Sequence, residues 1–341
     1  MKPSAILALA LVAGGCGPNP DPEPTPAAEP SVRPAARPAI DVSGPSRAYA
    51  MDALHLGQVD RSGRQSSQAW AAFGYDLDGR QTTKTEGASC KGEARRVDGK
   101  GGVDNSFGGD LMAILLSLRF DLESATSGDM PRGTWTWVLV LDDVGGDDDA
   151  RAAGHLYLGV GHAGSPSFTA ADHWPATKVA DFPDGYVAAG TWVSGAPRAI
   201  DLPMRLGGHP LALSLKEAFV TLRLADGAGI VAGALPRESF EPQYVALIQG
   251  VQSCMTGPRY DEIFRSHVRS ALDLRLGSAD PSAPCDAVSF GVGFHAAPTG
   301  SVLPSAAPLE LPKGVVGWCT GNFFKQLAPG SYVSPLDAGT D

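Results

Sequence analysis

A proline-rich segment near the start of the chain determines where a globular fold can begin. Nine prolines fall between residues 17 and 46, and large apolar residues are scarce there. Such a segment cannot bury enough apolar surface to fold, so it stays extended, at about 3.1 Å per residue in polyproline geometry. The sequence therefore predicts a disordered tether over residues 16–46 and a single β-rich globular domain over 47–341, whose end is a loop-rich tail.

An apolar run precedes this tether and has the features of an export signal. Residues 5–15 are apolar and follow Lys2, and Ala13, Gly14 and Gly15 stand directly before Cys16. Eleven residues are too few to span a bilayer, which takes about 20, but they match the apolar core of a signal peptide. The segment resembles the lipobox of bacterial lipoprotein precursors. The alternative is an ordinary secretory signal with a chance cysteine.

The lipobox resemblance implies an address as well as a modification. It implies removal of residues 1–15, attachment of diacylglycerol to Cys16 and acylation of the new amine with palmitate or a similar chain. Two or three acyl chains hold a protein stably on a membrane, which makes the membrane a partner. Gly17 stands where resembling lipoproteins of the inner membrane carry Asp, so the expected location is the cell envelope, at the outer membrane rather than the inner one.

Composition predicts a mainly β domain without a basic surface. The 341 residues include 42 Gly and 28 Pro, and 19% are charged. Short apolar runs between Gly- and Pro-rich turns favour strands. A formal net charge of -10 predicts no phosphate-binding surface and no nucleic-acid partner. Apart from the signal, no apolar run reaches 18 residues, so no transmembrane helix is predicted.

Periodicity places the elements and suggests an architecture. Helical spacing over 104–122, after the cap-forming residues 104–106, predicts one helix, and two further helical patterns follow residue 240. The predicted architecture is a β-sandwich, jelly-roll-like, with that N-terminal helix and a helical pair inserted before the last strand. The predicted strands cover 134–143, 153–161, 184–195, a hairpin over 217–235 around Asp226-Gly227, and 285–298.

Four cysteines remain once Cys16 carries lipid, and an oxidising compartment favours two disulfides among them. Four cysteines allow three pairings. The sequence interpretation takes Cys285 with Cys319 and Cys90 with Cys254. A zinc site of four thiolates is the rival, but it usually shows close cysteine pairs, which this chain lacks.

Acidic turns are the clearest candidate for a bound ligand. Calcium binds six to eight oxygens on a sharply bent backbone, so Asp alternating with Gly suits it. The candidate calcium ligands are Asp76, Asp78, Asp98, Asp104 and Asn105. A second acidic loop runs from Asp142 to Asp149. No complete EF-hand loop is present, and solvated Asp-Gly turns are the alternative.

Signals for catalysis are weak, so the sequence favours a binding or structural surface module over an enzyme. Neither G-x-S-x-G nor H-E-x-x-H occurs, and the seven histidines are dispersed. An anchored hydrolase acting on polysaccharide or peptide is the alternative, with no catalytic residue identified. Aromatic residues between 135 and 192 suggest a platform for polysaccharide, unless they fill the core. Docking on another envelope protein is a further option.

Four blocks carry a family resemblance. They are "WAAFGYDLDGRQTT", "DGKGGVDNSFGGDL", "FPDGYVAAGTWVSG" and "CDAVSFGVGF". Together they resemble lipoproteins of predatory soil bacteria over most of residues 68–294. The resemblance implies a recurring surface-protein design and brings no activity, fold or ligand with it.

Overall fold

The computed structural model describes residues 33–252, 255–277, 280–305 and 310–311. The four helices in this part of the chain are α1 (Met112–Leu118), α2 (Leu122–Gly128), α3 (Arg237–Val251) and α4 (Pro258–Ser270). The strands are β1 (Arg47–His55), β2 (Trp135–Leu141), β3 (Gly154–Val160), β4 (Trp174–Phe182), β5 (Tyr186–Ala188), β6 (Thr191–Val193), β7 (Arg198–Leu206), β8 (His209–Arg223), β9 (Ala228–Pro236), β10 (Ala287–Thr299) and β11 (Val302–Pro304).

The strands form one large curled sheet, a half-barrel. Its order is β11-β4-β3-β2-β1-β10-β9-β8-β6-β5, and β7 pairs with β8 beside this path. Neighbours are antiparallel except β11 and β4. The mainly β class is therefore confirmed, but the predicted sandwich of two packed sheets is not formed among the described residues.

Strand β10 shows how the two faces of the sheet are covered. Phe290, Val292 and Phe294 point into the main core, where α3 and α4 also pack. The alternate positions Gly291 and Gly293 lie under Phe73, and a Cβ at either one would come within 2.3 Å of that residue. Large and small residues alternate here because one face meets the core, whereas the backbone and the ring of Phe73 approach the other face closely.

The helical predictions are confirmed in part. The pair before the last long strand exists as α3 and α4. The single helix predicted over 104–122 is wrong, because a π-helical turn over Phe107–Leu111 leads into α1, and Arg119 then adopts an extended conformation before α2 begins. Asn105 caps the first turn, since its Oδ1 accepts the Gly108 N–H at 2.9 Å.

The hairpin predicted around Asp226-Gly227 is confirmed as β8 and β9. The strand predicted over 184–195 is instead the short hairpin β5–β6. Ala189 and Gly190, at φ 47° and 73°, turn the chain between its two strands. Positive φ at both central positions gives the twist that a two-residue hairpin needs.

The predicted tether does not extend to residue 46, because its described part lies on the domain. Arg37 donates to the carbonyl oxygen of Ala150 at 3.0 Å, and its guanidinium stands 5.0 Å from the centre of the Tyr186 ring. Tyr186 donates its hydroxyl to the Ala35 carbonyl at 2.6 Å. Cys16 and the predicted signal lie outside the described residues. No helix among the described residues has the length and apolarity to cross a membrane.

Candidate metal centre

A loop layer (residues 73–105) covers the outer face of the sheet and carries all five predicted calcium ligands. Tyr75 fixes this layer, because its ring packs on Ile230 and Ala232 and its hydroxyl lies 2.7 Å from Thr221 Oγ1. Asp104 donates its N–H to the Tyr75 carbonyl at 3.0 Å. This contact brings the turn after Tyr75 beside the segment that ends at Asp104.

Three of the predicted ligands meet there. Asp76, Asp78 and Asp104, called the acidic cluster below, each offer a carboxylate oxygen, and these oxygens all lie within 4.8 Å of one another. Backbone amides orient them: Gly79 N–H donates to Asp76 at 2.6 Å, Arg80 N–H to Asp78 at 2.8 Å, and Leu77 N–H to Asp104 at 2.7 Å. Each carboxylate keeps lone pairs that these single hydrogen bonds do not use.

Two glycines let the backbone bend around the acidic cluster. Gly79 has φ +77° and closes the Asp-Gly turn. Gly102 has φ +90°, and a Cβ there would lie 2.6 Å from the Arg80 carbonyl oxygen and 3.7 Å from the carboxyl carbon of Asp76. A larger residue at 102 would be strained and would crowd the turn that holds the carboxylates.

The electrostatics show carboxylates packed closer together than their charges favour. Burial, and then the charges of Asp273, Asp78 and Asp98, raise the pKa of Asp104 well above its usual range. Burial raises the pKa of Asp78, of Asp98 to about 6 and of Asp273 to about 7. Burial disfavours the charged form, and like charges nearby add to the effect. A proton or a cation would relieve both.

Little compensating charge reaches the interior of the acidic cluster. Arg33, in the described part of the predicted tether, forms an ion pair with Asp76 at 3.0 Å, on its outer side. Asp104 is only 2% exposed. An ion can therefore be held between these side chains, but an organic substrate cannot reach Asp104.

The remaining predicted ligands have different roles. Asp98 neighbours the cluster through a hydrogen bond with Asp104, and it also accepts the Thr82 N–H. The prediction for Asn105 is wrong, because its Oδ1 accepts two backbone N–H groups, from Gly108 and Gly291, at 2.9 and 3.0 Å. A fully used amide oxygen has no place in a metal shell.

Sequence reasoning missed Asp273. It lies between α4 and β10 and accepts both the N–H and the hydroxyl of Ser289, at 2.7 and 2.5 Å. Its position beside the loop layer depends on long-range packing, and no local pattern marks it.

The disulfide prediction chose the wrong partners. Cys90 and Cys285 are both oxidised, as predicted, but they bond to each other, with Cα atoms 5.2 Å apart and 195 residues apart in sequence. This bond ties the loop layer to the chain just before β10 and removes two thiolates that the rival zinc site would need. Cys254 and Cys319 lie outside the described residues.

The second acidic loop, 142–149, does not gather its carboxylates. Asp149 is fully buried and accepts the N–H groups of Gly145 and Arg151 at 3.0 Å and of Val42 at 3.4 Å. Asp148 accepts the Ala189 N–H at 2.8 Å. These carboxylates satisfy backbone amides separately, as in ordinary turn chemistry.

Neither a serine-type triad nor a tryptophan platform appears in the described part of the chain. No histidine there bonds both a serine hydroxyl and a carboxylate: His155 stands between Asp142 and Asp181, at 2.8 and 2.5 Å. Eight aromatic residues were candidates for the sugar platform, and six of them are buried, which favours the core alternative: Trp135, Trp137, Trp174, Phe182, Tyr186 and Trp192. The other two, Tyr157 and Phe168, are half-buried and pack against a cluster that contains Trp174.

Comparison of the chain with protein-family models, with curated proteins and with solved structures found no match. The function must therefore be argued from the geometry of the site.

Proposed function

We propose that this protein is a lipid-anchored module of the cell envelope, with a binding or structural role, whose acidic cluster takes up calcium. The observation that carries the calcium part is the convergence of Asp76, Asp78 and Asp104, from two chain segments, within 4.8 Å. Carboxylate oxygens on a sharply bent backbone are the ligands that calcium prefers. Calcium bound there would hold the loop layer on the sheet.

Two features support a cation over a set of protonated acids. The raised pKa values of Asp78 and Asp104 show that burial and neighbouring carboxylates destabilise their charged forms, so once the pH is high enough for their protons to leave, another positive charge stabilises the site. A divalent cation replaces those protons and removes the repulsion at once. Second, the three oxygens are held by backbone hydrogen bonds before any ion arrives, which lowers the cost of ordering them.

Direct titration tests the calcium site. Protein washed with chelator is titrated with calcium chloride in a calorimeter, and we expect one site per chain. Asp78→Asn removes a ligand charge and should abolish calcium binding. Asp148→Asn, in the other acidic loop, should leave calcium binding unchanged. Absence of binding to the unaltered protein, or equal loss in both variants, would refute the proposal.

The anchor rests on the sequence around Cys16, and it is tested separately. We expect labelled palmitate on the full chain and recovery of the protein with outer membranes. A Cys16→Ser variant should lose both. If the variant remains membrane-bound, or if the native chain never carries label, the anchor and the envelope location are refuted while the calcium site stands.

A hydrolase is the second candidate, supported by one cleft of about 320 Å³ lined by Trp70, Asp98 and Asp273. A pair of carboxyl groups is the usual catalytic arrangement for cleaving glycosidic bonds. The test is release of reducing ends from purified cell-wall glycan. Activity that Asp273→Asn abolishes, with calcium binding retained, would establish the enzyme; no release would exclude it for that substrate class.

A further inference from the structure

A basic cleft lies beside the acidic cluster in this otherwise acidic protein. It has a volume of about 430 Å³. The four basic residues on its wall all come from one short stretch of the loop layer: Arg80, Lys91, Arg95 and Arg96. The chain as a whole has 27 basic residues against 37 acidic ones, so this concentration runs against the composition.

Most of this positive charge has no partner. Arg96 forms an ion pair with Asp110 at 2.6 Å and donates to the Ser270 carbonyl. In contrast, no hydrogen bond or ion pair joins the side chains of Arg80, Lys91 and Arg95 to another described residue, although the charge of Arg80 partly offsets the raised pKa of Asp78. The carboxylates on the wall are Glu86 and Asp273, and Ser289 donates two hydrogen bonds to Asp273.

The wall of the cleft is fixed in place. The disulfide between Cys90 and Cys285 forms part of it. Lys91 N–H donates to the Ala283 carbonyl at 2.8 Å, and Cys285 N–H donates to the Lys91 carbonyl at 3.2 Å. The backbone that carries the cations is therefore held before a ligand arrives, which favours binding because less ordering is needed.

We infer that this cleft binds a phosphomonoester. Arg80, Lys91 and Arg95 outnumber the two carboxyl groups on the wall, Glu86 and Asp273, and a phosphomonoester, at about -1.5 to -2 near pH 7, can neutralise the excess. A guanidinium presents parallel donors that match phosphate oxygens. The volume admits a phosphate with one sugar ring. None of the three residues of the acidic cluster lines the cleft, so this inference does not rest on the calcium site.

The test uses the full chain in chelator at constant ionic strength, titrated with glucose 6-phosphate, glucose and glucuronate. We expect glucose 6-phosphate to bind and glucose not to bind. Glucuronate, which carries a single charge, should bind at least about tenfold more weakly than glucose 6-phosphate. Because each guanidinium removed takes charge-assisted hydrogen bonds away from the phosphate, Arg80→Ala with Arg95→Ala should weaken binding by at least about tenfold.

The matched control is Arg259→Ala, which removes one exposed charge from α4, outside the cleft. It should bind as the unaltered protein does. Lys91→Gln is a milder change, and it should also weaken the binding of glucose 6-phosphate. It serves as the test if the double variant does not fold. No binding of glucose 6-phosphate, equal affinity for glucuronate, or unchanged affinity in the cleft variants would overturn the inference.

Discussion

The two acidic loops of this protein have similar composition and opposite arrangements. In the 142–149 loop, the carboxylates of Asp142, Asp143, Asp148 and Asp149 have separate hydrogen-bond partners, and Asp149 alone accepts three N–H groups. In the loop layer, Asp76, Asp78 and Asp104 turn toward one another. The electrostatics follow, since Asp104 has a strongly raised pKa.

The difference shows that acidic composition alone does not predict a metal site. The carboxylates of the 142–149 loop accept from different amides, Asp149 from Gly145, Arg151 and Val42 and Asp148 from Ala189, so their charge is dispersed. The acidic cluster instead joins segments that meet only because Tyr75 and Asp104 pair across the loop layer. Carboxylates share a site where the fold turns them toward one another, whereas those of the 142–149 loop turn to separate hydrogen-bond donors.

The largest expected effect is a loss of stability when Asp149, in the 142–149 loop, is replaced. Asp149→Ala leaves three backbone N–H groups without their acceptor in a fully buried position. Each unmade hydrogen bond costs about 1–3 kcal/mol, so the free energy of unfolding should fall by about 3 kcal/mol or more. Urea denaturation measures it. Asp148→Ala, exposed and bonded to one amide, is the control and should change stability by less than about 1 kcal/mol. Equal effects would contradict the comparison.

The next largest effect is the stability that the protein gains when calcium binds to the acidic cluster. Calcium at 100 times its Kd should raise the free energy of unfolding by about 2.7 kcal/mol over protein in chelator. Asp104→Asn should remove most of this increment because it removes a ligand charge, and Asp148→Asn should retain it. Urea midpoints with and without calcium measure the increment. The distinction between the loops fails if both variants respond to calcium alike.

Local patterns predicted some parts of the fold and missed others for identifiable reasons. β2 and β3 were predicted correctly because most of their residues are apolar and buried. The turn between β8 and β9 was predicted from Asp226-Gly227. β7 was missed because Pro203 interrupts it, which is tolerated in a strand that pairs on one side only. The half-barrel depends on pairing β1 with β10, and no local signal encodes a contact across that separation.

The sequence also predicted some residues of the candidate site and missed others. The Asp-Gly turn chemistry of Asp76 and Asp78 is visible in sequence, and Asp104 was predicted with them. Asn105 was predicted wrongly because a side chain next to a ligand can face the other way, here toward Gly291. Asp273 was missed because long-range packing brings it beside the loop layer: Ser289 of β10 holds its carboxylate, and Cys90 Sγ lies 3.3 Å from its carbonyl oxygen.

Without calcium, the stability of the protein should fall as the pH rises from 5 to 7. Asp98 and Asp273 have folded-state pKa values of about 6 and about 7, above their unfolded values. The folded state therefore keeps protons that the unfolded state has lost, and their stabilisation disappears as the pH passes through those values. The slope is at most about 1.4 kcal/mol per pH unit for each proton, and less for Asp98, which water reaches.

Two other buried groups must be separated from this effect. Burial raises the pKa of Glu123 to about 7, which adds to the slope, and lowers the pKa of His55 to about 4, which opposes it. A Glu123→Gln variant removes the contribution of Glu123 to the slope, and thermal unfolding measures the stability that remains at each pH. In that background calcium should flatten the pH dependence, since it replaces the protons. A slope that calcium leaves unchanged would show that the acidic cluster does not exchange protons for the ion.

The smallest effect is the sharpest test of the comparison, because its sign depends on the ion. In chelator at pH 8, Asp78→Asn should leave stability unchanged or raise it by up to about 1 kcal/mol. The asparagine carbonyl can still accept the Arg80 N–H, while one of the repelling charges is gone. In saturating calcium the same variant should be the less stable protein, because it has lost the ion. Asp149→Asn should be destabilised equally in both conditions, since its amides take no part in ion binding. Urea midpoints of the two variants in the two buffers decide the matter: a clear loss for Asp78→Asn in chelator would mean that this carboxylate is structural, like that of Asp149, and the contrast between the loops would be gone.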